Sequence, residues 1–168
     1  VRDLISNGDP YREVKDLATE QALALYPDVK RQRDEAYDPL AFAVRAAIAG
    51  NIIDFGPGHT YELEETLDRV LTQPFAIGDL HALRAALGQA GSVLYLADNA
   101  GETVFDRLLV EVLDRPVTYA VKSGPILNDA TVKDARAAGL GDVAELIITG
   151  SDAPGTILQR CSPAFRRR

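Results

Sequence analysis

The sequence predicts an α/β protein: a three-layer α/β/α arrangement with a mostly parallel sheet and a helical amino-terminal region. Three observations lead there. Residues 1–90 show helical apolar spacing and helix-start signals without a strand pattern. From Val93 onward, short β-favouring runs alternate with helical stretches, at connection lengths that imply parallel strands joined by right-handed crossovers. Each strand then ends in a polar, glycine-containing turn, and the carboxyl edge of such a sheet is where ligands bind.

Taken in order, Asp9-Pro10 opens a first helix to about Leu25, with Val14, Leu17 and Ala18 on one face and Tyr26-Pro27-Asp28 as its break. The charged stretch Lys30–Glu35 reads as a solvated segment. Asp38-Pro39 opens a second helix by N-cap and first-turn proline. Between Leu40 and Ala49 its only charge is Arg45, so burial nearly all round is expected. The glycines of Gly50-Asn51-Ile52-Ile53-Asp54-Phe55-Gly56 suggest a bend, in which Asn51 caps the helix and Asp54 bonds local backbone. Thr60 and Asp79 are expected to cap two more helices, with Leu63, Leu67, Val70 and Leu71 inward in one and Leu80, Leu83 and Leu87 in the other. Strands are predicted at Val93–Leu96, which reads as buried, at Pro116–Val121 and at Leu146–Ile148. Helices are predicted from Gly101, over Thr131–Ala138, and starting near Thr156. The chain thus divides into a helical region, 1–90, and an α/β region, 91–168, within one structural domain. With no Met, and a helix start at Ser162-Pro163 six residues before the last one, it is expected to be a piece of a longer chain.

Composition narrows the function. A formal charge of −7 argues against general affinity for nucleic acid or anionic membrane, while leaving room for a phosphate held locally. Cys161 is the only cysteine, which excludes an internal disulfide and a cysteine-based zinc cluster. No run approaches the ~18 apolar residues of a membrane span, and no signal-peptide core is visible, so a cytoplasmic protein is expected.

Three turns carry the candidate chemistry: Asp98-Asn99-Ala100-Gly101-Glu102, Lys122-Ser123-Gly124 through Asn128-Asp129-Ala130-Thr131, and Gly150-Ser151-Asp152. Asp98, Asn99 and Asp129 form a donor set of oxygens alone, which suits Mg²⁺ or Mn²⁺ better than zinc. The helix start at Gly101, with Lys122 and Ser123, suits phosphate oxygens. Glu102 is the candidate for proton transfer. The same residues also suit plainer roles: Asp98 as a helix cap, Asp129 or Thr131 as the cap of the next helix, Asp152 as a loop residue. His59 and His81 are isolated, and neither a Gly-x-Gly-x-x-Gly nor a Walker A pattern is present.

Four stretches in order, Gly50-Asn51-x-x-Asp54, Asp98-Asn99-Ala-Gly101-Glu102, Lys122-Ser-Gly-Pro-Ile-Leu-Asn128-Asp129-Ala-Thr131 with Asp134, and Gly150-Ser-Asp152-Ala-Pro-Gly-Thr156, resemble the damage-control phosphatases. This is the ARMT-like family, formerly a domain of unknown function, and the likeness is to its short prokaryotic branch. The resemblance implies an α/β/α fold and a metal-dependent phosphatase acting on small phosphorylated metabolites, with Mn, Mg, Co or Ni as cofactor. It matches Asp98, Asn99 and Asp129 to the metal ligands and Asn51 and Asp54 to a stretch lining the same cavity. The candidate catalytic residues are Asp98, Glu102 and Asp129, and the candidate substrate-binding residues are Asn51, Asp54, Gly101, Lys122, Ser123 and Asp152. Similar proteins are longer, with paired cysteines before this start and a lysine-bearing motif after this end. The expected function is hydrolysis of phosphomonoesters of sugar phosphates or damaged phosphometabolites. A carboxyl methyltransferase and a non-catalytic metal- or nucleotide-binding module are the alternatives.

Overall fold

The strand–helix alternation after residue 92 produces a three-stranded, all-parallel sheet. A computed structural model describes residues 8–52, 60–151 and 153–168, without the side chains of 60–64. Its elements are α1 (Arg12–Glu35), α2 (Pro39–Ile52), α3 (Thr60–Thr72), α4 (Leu80–Gln89), β1 (Val93–Leu96), α5 (Thr103–Val110), β2 (Val117–Val121), α6 (Val132–Ala137) and β3 (Glu145–Ile148). The strand order is β1-β2-β3, with Tyr95 beside Tyr119 and Tyr119 beside Leu146. The helical amino-terminal region and the parallel α/β part are both as the sequence predicts.

Helix α5 is the centre of the packing. Val104, Phe105 and Leu108 are fully buried. Towards the sheet, Asp106 accepts hydrogen bonds of 2.5 Å from the hydroxyls of Tyr95 and Tyr119. Away from it, Arg33 of α1 donates to the Leu108 carbonyl at 2.9 Å. Gly50 of α2 lies against Phe105, where a Cβ would come within 2.9 Å of Cδ2. A glycine inside a helix costs about 1 kcal/mol relative to alanine, and here it permits the close approach of α2 to α5.

Several local expectations give way to tertiary contacts. Helix α1 does not break at Pro27 but continues to Glu35, so Lys30–Glu35 forms its last turns. Proline removes one ladder hydrogen bond and crowds the preceding turn. What holds the continuation is Glu111 of the α5 end, which takes Tyr26 Oη at 2.5 Å, Lys30 Nζ at 2.9 Å and Arg33 Nη1 at 2.7 Å. The buried face of α1 also differs from the predicted one: Lys15, Ala18, Thr19, Ala22, Val29 and Arg33 are buried, whereas Val14 and Leu17 are exposed. Helix α2 starts as expected, with Asp38 Oδ1 accepting from the Ala41 N–H at 3.0 Å, but it runs through Gly50 and Asn51 to Ile52 without a bend there.

Strand β1 buries only one face. Tyr95 turns to the core, while Leu94 and Leu96 are exposed. On that second face, Ala120 and Ile147 are covered by Cys161 and Phe165. The helical starts predicted near Thr156 and Ser162 are 3₁₀ turns, Leu158–Arg160 and Phe165–Arg167. Ser162 still caps, its Oγ accepting from the Phe165 N–H at 3.1 Å. Its own N–H donates to the Thr149 carbonyl at 2.9 Å. Gly150 (φ +76°) allows this crossing, since a Cβ there would lie 2.4 Å from that of Ser162.

Candidate active site

The loops after β1 and β2 are joined by main-chain hydrogen bonds. Ala130 N–H donates to the Asp98 carbonyl at 2.7 Å and Ala100 N–H to the Asn128 carbonyl at 2.9 Å. Asn99 and Asp129 form an antiparallel bridge, and Lys122 bridges Thr131. Adjacent parallel strands put both carboxyl ends on one edge, and these bonds then set Asp98-Asn99 against Asn128-Asp129. Thr131, rather than Asp129, caps α6, its N–H donating to Asp134 Oδ2 at 2.8 Å in a capping box. Asp129 is therefore released from capping.

Negative charge accumulates here. Glu102 is buried at the amino end of α5 and accepts from Asn51 Nδ2 at 3.0 Å and, more distantly, from the Asn99 N–H at 3.4 Å. Asn51 and Asn99 also donate to Asp98 Oδ2 at 3.5 and 3.4 Å. Burial raises the Glu102 carboxyl above the usual carboxylate range; the Asn51 and Asn99 hydrogen bonds oppose this and the Asp98 charge adds to it. Asp129 is raised in the same way by burial and by Asp98, against the pull of Lys122. Its Oδ2 is buried without a hydrogen-bond partner, and Lys122 Nζ stands 3.5 Å away. One turn below Glu102, burial and the Glu102 charge push Asp106 up to about 7 despite its two tyrosine donors.

Asn51 thus does not cap α2. Its amide reaches the loop after β1, as a site residue would. A cleft of about 320 Å³ lies between α1, the end of α2 and this loop, lined by Tyr11, Lys15, Asn51, Asn99, Gly101 and Asn128 among others. Lys122 and Ser123 line a separate groove with Arg12 and Lys133, and the Ser123 N–H donates to the Ser151 carbonyl at 3.3 Å. Lys122 still reaches Asp129, its Nζ 3.5 Å from Oδ2, while among the described residues no hydrogen bond joins Ser123 to a carboxylate. Asp54, His59 and Asp152 lie outside the described residues. Among the described residues, no three His, Cys, Asp or Glu side chains converge as a metal-holding group. The oxygen donors brought together are two carboxylates and an amide: Asp98, Asp129 and Asn99.

Sequence reasoning missed Lys15. Its side chain is fully buried, with Nζ 2.9 Å from Asp9 Oδ2, 3.5 Å from Asp134 Oδ2 and 3.4 Å from the Asp129 carbonyl. The available signal was a charge in helical register with Ala18 and Ala22. Arg12 braces the same Asp134 at 2.6 Å.

A family model described as the damage-control phosphatase ARMT1-like domain matches residues 1–168. An uncharacterized protein of Methanocaldococcus jannaschii is 37% identical over 173 residues, covering 98% of this chain and 57% of its own length. Proteins named damage-control phosphatase from Pyrococcus horikoshii and Archaeoglobus fulgidus are 36% and 35% identical, covering 96% and 99% of this chain. The chain spans only 57% and 60% of those two relatives. The crystal structure of a DUF89 family protein from Pyrococcus horikoshii superposes with a TM-score of 0.85 at 35% identity, over 95% of this chain and 56% of that one.

Proposed function

This chain belongs to the ARMT1-like damage-control phosphatase family, and on that premise we propose that it hydrolyses phosphomonoesters of small metabolites at the Asp98–Asp129 edge, with a divalent cation as cofactor. The observation that carries the reading is Asp129 Oδ2: a buried carboxylate oxygen with no hydrogen bond, beside a second acidic side chain and 3.5 Å from the nearest ammonium. An orphaned buried acceptor of this kind is costly, and a hard cation would satisfy it. The donor set fits Mg²⁺ or Mn²⁺: Asp98, Asn99 and Asp129 would hold the ion through oxygen alone. When bound, the cation would supply Lewis-acid polarisation of a phosphoryl oxygen.

The chain's own groups take the remaining roles. Asn51 and Asn99 hold Glu102 Oε2 in place, and burial raises the Glu102 carboxyl above its ordinary value, which favours its role in proton transfer. Gly101 lines the cleft at the positive end of the α5 dipole, where a phosphate oxygen would sit close to backbone. Lys122 offsets part of the negative charge from beneath Asp129.

The test is hydrolysis of p-nitrophenyl phosphate with Mn²⁺ and with excess chelator, for the parent, Asp98→Ala and Asp129→Ala. The expected result is chelator-sensitive turnover and a loss in kcat/KM of at least about 100-fold in each variant, roughly 2.7 kcal/mol of transition-state stabilisation. Turnover indifferent to chelator, or an Asp129→Ala protein with parental kcat/KM, would overturn the assignment.

A further inference from the structure

We propose that Lys15 is a positioning residue for this site, acting on Asp129 through the backbone carbonyl of Asp129; the inference rests on reading Asp129 as a cation ligand. The peptide between Asp129 and Ala130 is held at both polar ends. Its N–H donates to the Asp98 carbonyl at 2.7 Å, and its C=O faces the Lys15 ammonium at 3.4 Å. Rotation of that peptide would swing the Asp129 side chain relative to Asp98, so the two bonds together set the spacing of the two carboxylates. The Asp98 bond ties the peptide to β1. The Lys15 contact ties it to α1, an element 114 residues earlier in the chain.

Lys15 is itself fixed. Its side chain is entirely buried, and Asp9 Oδ2 at 2.9 Å and Asp134 Oδ2 at 3.5 Å supply its counter-charge. A buried ammonium is expensive to desolvate, and an apolar side chain of the same length is often as stabilising. Helix packing alone therefore does not call for a lysine; orienting a carbonyl does. Asp134 also caps α6 through the Thr131 N–H, so α1, the Asp129 loop and the start of α6 converge on one nitrogen. Lys15 lines the cleft beside Asn51, Asn99 and Gly101, which brings its action to the side where substrate would enter.

Arg12 provides the internal control. It pairs with the same Asp134 at 2.6 Å and with Asp16 at 2.5 Å, and among the described residues it makes no hydrogen bond to Asp129. The experiment measures the Mn²⁺ dissociation constant by calorimetry, and the melting temperature by circular dichroism, for the parent, Lys15→Met, Arg12→Met and Asp129→Ala. Lys15→Met is expected to bind Mn²⁺ at least tenfold more weakly than the parent while folded. Arg12→Met should melt earlier yet stay within twofold of the parental constant. If Lys15→Met does not fold, Lys15→Leu, which likewise lacks a donor, is judged by the same tenfold criterion. A folded Lys15 variant within twofold of the parent overturns the proposal, as does an Arg12→Met protein weakened equally. Unchanged Mn²⁺ binding in Asp129→Ala, or no binding by the parent, would instead remove the cation reading on which the proposal rests.

Discussion

Asp106 lies under the candidate site, fully buried and hydrogen-bonded by two tyrosine hydroxyls at 2.5 Å each. Burial first, and then the Glu102 charge, push it up to about 7 from an ordinary value of 3.8. Between those values the folded protein holds a proton that the unfolded chain has released. Stability associated with Asp106 is therefore full in acid and is lost as pH rises towards 7, with no further change above. Over pH 5 to 8 this amounts to on the order of 2–3 kcal/mol. Asp106→Asn should shrink the pH 5 to pH 8 stability difference by that amount, measured by urea unfolding with chelator present; an unchanged difference would show that Asp106 ionises normally. The adjacent-residue motifs Asp98-Asn99 and Asn128-Asp129 were legible in the sequence because the type of side chain carries their chemistry. Lys15 and Asp106 were not, since a charge on a helix reads as solvent-facing until its partners are known.

Among the elements, α1 departs furthest from local propensity. Pro27 should end it, yet Glu111 gathers Tyr26, Lys30 and Arg33 on both sides of that point. Burial works to raise the Glu111 carboxyl, but the hydrogen bonds from Tyr26, Lys30 and Arg33 prevail and hold it down to about 2. Its contribution is thus present above the ordinary glutamate range and lost as pH falls towards 2. Glu111→Ala should cost about 3 kcal/mol, as expected when one partner of a mostly buried ion cluster is removed. Hydrogen exchange should locate the damage: amides after Pro27 should lose protection while those of Ala18–Ala22 keep theirs. Equal loss along the helix would mean that Glu111 does not specifically hold its second half.

At the scale of the whole molecule, the helical region supplies one wall of the site: Asn51 ends α2, Lys15 starts α1, and both line the cleft. The junction that makes this possible is Gly50 against Phe105. Gly50→Ala gains about 1 kcal/mol of helix propensity, but it places a Cβ at 2.9 Å from a fully buried ring that has little room to move. Overpacking costs about 1–3 kcal/mol, so a net fall in melting temperature is expected. Because Asn51 is the next residue, the Mn²⁺-dependent kcat/KM per folded molecule should fall as well. A variant that melts later, with unchanged turnover, would show that propensity prevails and that α2 need not approach so closely.

The sequence by itself determined the alternation of strand and helix, the parallel sheet, the polar loops at its carboxyl edge and the family motifs within them. Those features are local: periodicity separates helix from strand, and a turn is written in its own residues. Tertiary structure alone decided that α1 passes through Pro27, that its buried face carries Lys15 and Arg33, and that Asn51 reaches Glu102. Each depends on a partner far along the chain, 78 residues between Arg33 and Glu111, 114 between Lys15 and Asp129, and 51 between Asn51 and Glu102. A buried charge or amide is favourable only when such a partner meets it, and that pairing exists only once the helices have docked on the sheet.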